Sequence, residues 1–223
     1  MNKKQVNDYN GDVCAMGEQE TLKIFDEARN MIGEATRAEV HKYGYWHETF
    51  HCWFISNDQG IDYIYFQLRS DDKKDYPGLL DITSAGHLMA DENVNDGVRE
   101  IKEEIGIDVA FEELIVLGIM EYCAEKADFI DNELAHVFLY KSENTFDDFT
   151  LQADEVSGIV KARFTDFTEL WFGTKDKIEV QGFAIDKNKN KLMVDQTVSR
   201  EKFVPHQEIF YQEVIRKITE YIR

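Results

Sequence analysis

The sequence predicts an α+β domain, a mixed β-sheet with helices packed outside it. Three observations carry this. Short apolar and aromatic segments recur from Thr21 to Arg163, separated by polar turns, as strands require. One helical stripe interrupts them near the middle, and one or two helical patterns follow late in the chain. Of 223 residues, 43% are hydrophobic and 13% aromatic, which is enough to bury one sizeable core.

Residues 1–19 are compositionally loose and read as a mobile N-terminal arm; residues 20–190 read as the main domain, and 191–223 as a C-terminal extension. TLKIFDEARNMIGEATR (Thr21–Arg37) alternates at Leu22 and Ile24, turns near Asn30 and resumes as a strand around Ile32. ETFHCWFI (Glu48–Ile55) and IDYIYFQLR (Ile61–Arg69) flank the turn Asn57-Asp58-Gln59-Gly60 and read as a hairpin. SDDKKDYPG (Ser70–Gly78) is a polar loop ending in a Pro-Gly turn. LLDITSAGH (Leu79–His87) reads as a buried strand running into a glycine. From Asn95 to Ile105, Val98, Ile101 and Ile105 make one helical apolar stripe, with Asn95 as the cap and Gly106 as the stop. ELIVLGIMEYCAE (Glu113–Glu125) and NELAHVFLYKS (Asn132–Ser142) read as strands. EVSGIVKARFTDFTELW (Glu155–Trp171) reads as a strand with a short helix from Asp166. The last element, Glu208–Ile222, is an amphipathic helix with Phe210, Val214, Ile218 and Tyr221 on one side; that stripe packs on the domain or makes a homodimer.

The formal net charge of −19 would repel a phosphate backbone, so a nucleic-acid polymer is a poor partner. Small phosphorylated ligands remain open to an acidic protein if metal ions invert the charge locally. No apolar run approaches the roughly 20 residues that span a bilayer, and polar residues follow Lys3–Lys4 where a signal peptide would be apolar. Cys14, Cys52 and Cys123 have no CxxC spacing, which argues against a disulfide framework or a cysteine zinc site and for a cytoplasmic protein.

Glu100, Glu103 and Glu104 share one face of the central helix, opposite the apolar stripe. Like charges at i, i+4 cost a few tenths of a kcal/mol. Judged on the helix alone, this is a solvated charged face or a site for a hard divalent cation, which would turn the cost into a gain. The flanking residues weigh on the choice. Arg99-Glu100-Ile101-Lys102-Glu103-Glu104-Ile105-Gly106-Ile107 resembles, at every fixed position, the second half of the Nudix box, R-E-U-x-E-E-x-G-U with U apolar. Upstream, Gly86 and Glu92 match its opening, although the interval from Glu92 to Arg99 is one residue shorter than the box has; otherwise Asp91 takes the acidic role.

The resemblance implies a Nudix-like α/β/α sandwich with a mixed β-sheet over 20–190, and hydrolysis of a diphosphate bond with Mg²⁺ or Mn²⁺. It implies metal ligation by Glu100, Glu103 and Glu104, and an Arg99 that fixes the loop through an acid, Glu92. Around the box, EVHKYGYWHETFHCWFI, FQLRSDDKKDYPGLLDITSAGH and NELAHVF resemble the branch that joins type I isopentenyl-diphosphate isomerases to hydrolase relatives. The isomerases' second metal site maps onto His47, His87, Asp131 and Glu133, with His41 as the weakest match. The isomerases also need a cysteine where Ala85 stands, and a methyl group cannot carry a proton. The expectation is therefore a hydrolase of a small phosphorylated metabolite, such as a nucleoside diphosphate. An isomerase with a substitute proton donor, or a non-catalytic binding protein, is the alternative.

Glu133 and Glu155 are candidates for the general base, and a plain loop acid is the simpler reading of Glu155. Arg69 could reach a phosphate, since its fork suits oxyanions, or lie on the surface. Gly86 belongs to the substrate-binding opening of the box. His51 and His136 alternate with apolar neighbours and read as sheet histidines, and His206, beside Pro205, reads as a surface residue. Trp53 and Cys52 read as core.

Overall fold

The computed structural model describes residues 20–126 and 129–222; the arm expected at 1–19 lies outside the described residues. A hairpin of β1 (Thr21–Phe25) and β2 (Met31–Thr36) leads into helix α1 (Arg37–Tyr43). Strands β3 (Trp46–Asp58), β4 (Ile61–Arg69), β5 (Leu80–Asp81) and β6 (Ser84–His87) follow. A 3₁₀ turn, Val94–Val98, leads into α2 (Arg99–Ile105). Then come β7 (Ile115–Lys126), β8 (Phe129–Lys141), β9 (Val156–Arg163), α3 (Phe164–Trp171), β10 (Lys177–Ile185), β11 (Lys191–Ser199) and α4 (Glu208–Thr219).

The strands form one eleven-stranded sheet of order β11-β10-β9-β4-β3-β1-β2, with β6 and β8 also on β3, β7 on β8 and β5 on β4. The β3–β8 pair is parallel and runs from Trp46↔Asn132 to Ile55↔Lys141, while the other described pairs are antiparallel. The sheet is mixed, as the sequence predicts. Alternation along β3 divides the core between its two faces. Trp53 and Ile55 join the cluster that holds Phe167 of α3 and Phe210, Val214 and Ile218 of α4. Phe50, Cys52 and Phe54 join the cluster that holds Ile101 and Ile105 of α2. Helices thus cover both faces of the sheet. The α4 stripe is consumed by this packing, and Tyr221, expected within it, is exposed. Each large side chain buried this way contributes on the order of 1.5–3 kcal/mol.

Four local expectations need correction. α1 was not legible as an apolar stripe, but its ends are set by caps. The Thr36 hydroxyl accepts from Glu39 N, the Glu39 carboxylate accepts from Thr36 N, and Gly44 closes the helix at φ 68°. The central helix begins later than Asn95; Asn93, not Asn95, caps the 3₁₀ turn before it. The stretch Leu79–His87 is two short strands rather than one, broken at Ile82-Thr83, where the Thr83 hydroxyl takes over hydrogen bonding to Tyr65 O and Phe54 N. The division at 190/191 falls in the turn of the β10–β11 hairpin, both strands of which belong to the one sheet.

Candidate active site

α2 carries its acids toward β6. The carboxylate of Glu104 is buried and accepts a hydrogen bond from Ala85 N at 3.1 Å. Glu100 lies against Gly86, where an added Cβ would come within 2.6 Å of its three carboxyl atoms. Gly86 has no positive φ, so the glycine is there for space and not for backbone freedom. Glu103 is half exposed. Arg99 ties the group together. It donates to Glu100 at 2.7 Å, to Glu103 at 2.9 Å, to both oxygens of Glu92, and to the carbonyl of His87 at 3.2 Å. Glu92 also accepts from Met89 N at 2.8 Å. Glu92 therefore fills the acidic place beside Arg99 that the short spacing left open between it and Asp91.

Burial pushes the Glu100 and Glu104 carboxyls well above the ordinary glutamate range, and the charge of neighbouring glutamates pushes them further. The hydrogen bonds that Arg99 donates to Glu92, and the charges of Glu100 and Glu103, hold its guanidinium charged. Two carboxylates buried side by side with one arginine are short of positive charge. A divalent cation is the species that would supply it.

A second cluster lies on the other side of β6. α1 contributes His41, β3 His47, β6 His87, and β8 Asp131 and Glu133. The ligand atoms of His41, His47 and His87 all lie within 4.8 Å of one another, and so do those of His47, Asp131 and Glu133. His41 Nε2 is 3.4 Å and His47 Nε2 3.5 Å from Asp131 Oδ1. Both His47 Nε2 and Asp131 Oδ1 are buried with no hydrogen-bond partner. Burial depresses the His47 imidazole to about 4 and lowers His87 as well, so both rings are neutral and offer lone pairs. Orphaned nitrogen and oxygen donors facing each other fit a divalent metal. His41, the weakest match in sequence, belongs to the cluster because α1 brings it there.

Both clusters open on one cavity of about 320 Å³. Arg37, Arg69, Lys73 and Arg99 line it and supply positive charge. Arg69 is not a free surface arginine: it donates to Asp81 at 2.8 Å and to the Asp75 carbonyl at 3.1 and 2.9 Å. Glu155 lines the cavity in an ion pair with Lys73. Glu133 accepts from the Thr49 hydroxyl at 3.1 Å and faces His51 Nε2 at 3.1 Å. Burial works against its ionisation, but His51 holds the carboxyl below its ordinary value.

One histidine differs from expectation. His206 is not a surface residue; its side chain is 8% exposed and pairs with Asp81 at 3.0 Å, because the segment before α4 folds back over the cavity. His51 is a sheet histidine, as read, but it also lines the cavity. His136 stays outside and pairs with Glu48 at 2.9 Å. Arg37, Lys73, Asp81 and Tyr122 were missed. No local pattern marks them, and only Thr36-x-x-Glu39, which opens the helix carrying Arg37 and His41, was a readable signal.

No protein-family model matches the chain. An uncharacterized Nudix hydrolase of Clostridium acetobutylicum is 36% identical over 201 residues, 90% of this chain and 98% of its own length. An isopentenyl-diphosphate Delta-isomerase of Paenarthrobacter aurescens is 29% identical over 126 residues, 56% of this chain and 67% of its own. The crystal structure of DR0079 from Deinococcus radiodurans covers 67% of this chain and 86% of its own at 16% identity, with a TM-score of 0.50, a likeness of fold alone. A mixed sheet between helices, with an acidic helix packed on one face, is the Nudix fold. The chain belongs to the Nudix hydrolases, as a pyrophosphohydrolase. Among the described residues no helix is long and apolar enough to cross a membrane.

Proposed function

We propose that the protein hydrolyses a diphosphate bond in a small phosphorylated metabolite, such as a nucleoside diphosphate, using Mg²⁺ or Mn²⁺ in the cytoplasm. The observation that carries this reading is the burial of Glu100 and Glu104 together against Gly86 and Ala85, with Glu103 and Arg99 beside them. Glu100, Glu103 and Glu104 hold the cation there, and His41, His47, His87, Asp131 and Glu133 hold a second. A bound cation supplies charge neutralisation on the phosphate oxygens and activation of water. Arg37, Arg69 and Lys73, which line the same cavity, orient the diphosphate. Water adds to phosphorus, the bridging P–O bond breaks, and the proton of the water passes to Glu133 or Glu155, both of which line the cavity.

Proton and phosphorus NMR with Mg²⁺ test the reading against nucleoside di- and triphosphates, a nucleotide sugar and isopentenyl diphosphate, with Glu103→Gln as control. The expected result is a new metal-dependent phosphorus signal that the control lacks. Full activity in Glu103→Gln refutes the metal role. Glu133→Gln and Glu155→Gln then separate the two bases. The similarity to an isomerase and the histidine cluster favour one second reading, isomerisation of isopentenyl diphosphate. It predicts a shifted double bond with intact phosphorus signals, and Ala85 argues against it.

A further inference from the structure

The stretch before α4 reaches back to the strand that bears Asp81. Lys202 Nζ donates to Gly78 O at 2.7 Å, Val204 N donates to Leu80 O at 2.8 Å, and His206 Nε2 meets Asp81 Oδ1 at 3.0 Å. Behind these contacts Phe203 and Val204 are buried, and the Tyr211 hydroxyl of α4 donates to Val204 O at 2.7 Å. His206 is thus delivered to Asp81 on a packed support.

Asp81 is itself buried and divides its two oxygens among three donors. Oδ1 accepts from Ile82 N at 2.9 Å and from His206, and Oδ2 accepts from Arg69 Nη1 at 2.8 Å. A carboxylate only accepts, so His206 Nε2 carries a proton here. Burial works against the charge on Asp81, yet His206, Arg69 and Ile82 N together hold its carboxyl below the ordinary aspartate range. Arg69 spends Nε and Nη2 on the Asp75 carbonyl at 3.1 and 2.9 Å. Three of its five N–H donors are engaged in this way and two are left. Arg69, Asp81 and His206 all line the cavity.

A guanidinium and a carboxylate favour a two-pronged pairing when nothing prevents it. In this protein His206 stands on the oxygen that the second prong needs. Without His206, Ile82 N alone would leave a lone pair of Oδ1 open, and Arg69 could turn a spare N–H onto Asp81. That donor would then be lost to a phosphate oxygen.

We propose that His206 is a positioning residue for diphosphate binding: by occupying Asp81 Oδ1 it keeps the Arg69–Asp81 pair single-pronged and the remaining Arg69 donors available to the ligand. The segment Lys202–His206, outside the acidic helix and the histidine cluster, is thereby part of the active site. The proposal rests on the hydrolase reading above, because it takes Arg69 to bind the diphosphate.

Calorimetric titration with methylenebisphosphonate, an uncleavable stand-in for a diphosphate, tests it in Mg²⁺. Urea unfolding and Mg²⁺ affinity without the probe are measured beside it. His206→Leu should weaken the probe about tenfold, the size of one charge-assisted hydrogen bond, while Mg²⁺ affinity stays within about twofold. His206→Gln, whose amide can reach Asp81 in place of Nε2, should stay within about threefold of native. Placed in Arg69→Gln, which already lacks the guanidinium, His206→Leu should cost no more than about twofold further. If His206→Leu does not fold, His206→Asn, whose amide is too short to reach Oδ1, takes its place. Native affinity for the probe in a folded His206→Leu protein overturns the proposal and leaves the hydrolase reading standing. So does a His206→Gln variant as weak as His206→Leu, or an undiminished further loss in Arg69→Gln. Failure of the native protein to bind the probe overturns the hydrolase reading and this proposal together.

Discussion

Gly86→Ala separates position from stability at the acidic site. The new methyl would lie within 2.6 Å of all three carboxyl atoms of Glu100, whereas ordinary van der Waals contact begins near 3.4 Å. The carboxylate must therefore retreat by about 1 Å. Glu100 is a flexible side chain and Gly86 needs no positive φ, so the fold can absorb the change. Global stability should stay within about 1 kcal/mol of native, as for other substitutions that create no cavity and strand no charge. Catalysis should suffer far more, since a misplacement of about 1 Å in an active site can cost about 100-fold. Paired measurements decide it: urea unfolding with metal removed by EDTA, and steady-state hydrolysis with a Mg²⁺ titration. The expected result is a near-native midpoint, a turnover number lower by about 100-fold, and weaker Mg²⁺ activation. Native turnover and native Mg²⁺ dependence would refute the reasoning, because they would show that the Glu100 carboxylate need not stand where the glycine admits it. A collapse in stability would refute it from the other side.

Three further outcomes follow from the same geometry. Burial raises the Glu100 and Glu104 carboxyls above their ordinary value of 4.5, so the metal-free native state retains protons that the unfolded chain releases. Its stability should therefore fall as pH rises from about 4.5 through the raised native values, and Glu104→Gln should flatten that decline in melts run with EDTA while abolishing Mg²⁺ activation. Asp131→Asn combined with His47→Ala removes two donors of the histidine cluster, and Mn²⁺ binding measured by calorimetry should lose one site of two; unchanged stoichiometry would count against the second centre. Trp53→Ala hollows the larger core, where the ring is fully buried, and denaturant unfolding should show a loss of about 3–5 kcal/mol.

Much of the scaffold was legible because it is written in short-range chemistry. The apolar and aromatic run Glu48–Ile55 marked a strand, which the structure buries on both faces, and the i, i+3, i+7 stripe of α2 marked the face that docks on the sheet. In the Arg99–Ile107 run helical spacing and a glycine stop disclosed an acidic face, and the resemblance to the Nudix box gave that face its meaning as a metal site. α1 escaped notice for a converse reason: it is short, and its identity rests on the Thr36–Glu39 capping box rather than on a stripe. The break within Leu79–His87 depends on the Thr83 hydroxyl reaching Phe54 N and Tyr65 O, contacts that no local pattern contains.

By itself the sequence determined the mixed α+β class and the acidic helix, and its resemblance to the isomerase branch pointed to the histidines and acids that could accompany it. Periods of 2 and 3.6, caps and turn residues act between neighbours in the chain, so they can be read there. Only the tertiary structure decided which side chains share the cavity. His206 meets Asp81 across 125 residues, and Thr49 meets Glu133 across 84. Those meetings follow from strand order and register: the parallel β3–β8 pair sets His47 opposite Glu133, and the β3–β6 pair sets His51 opposite Ala85. Such register is fixed by burial of two core faces at once, a condition that no single segment carries.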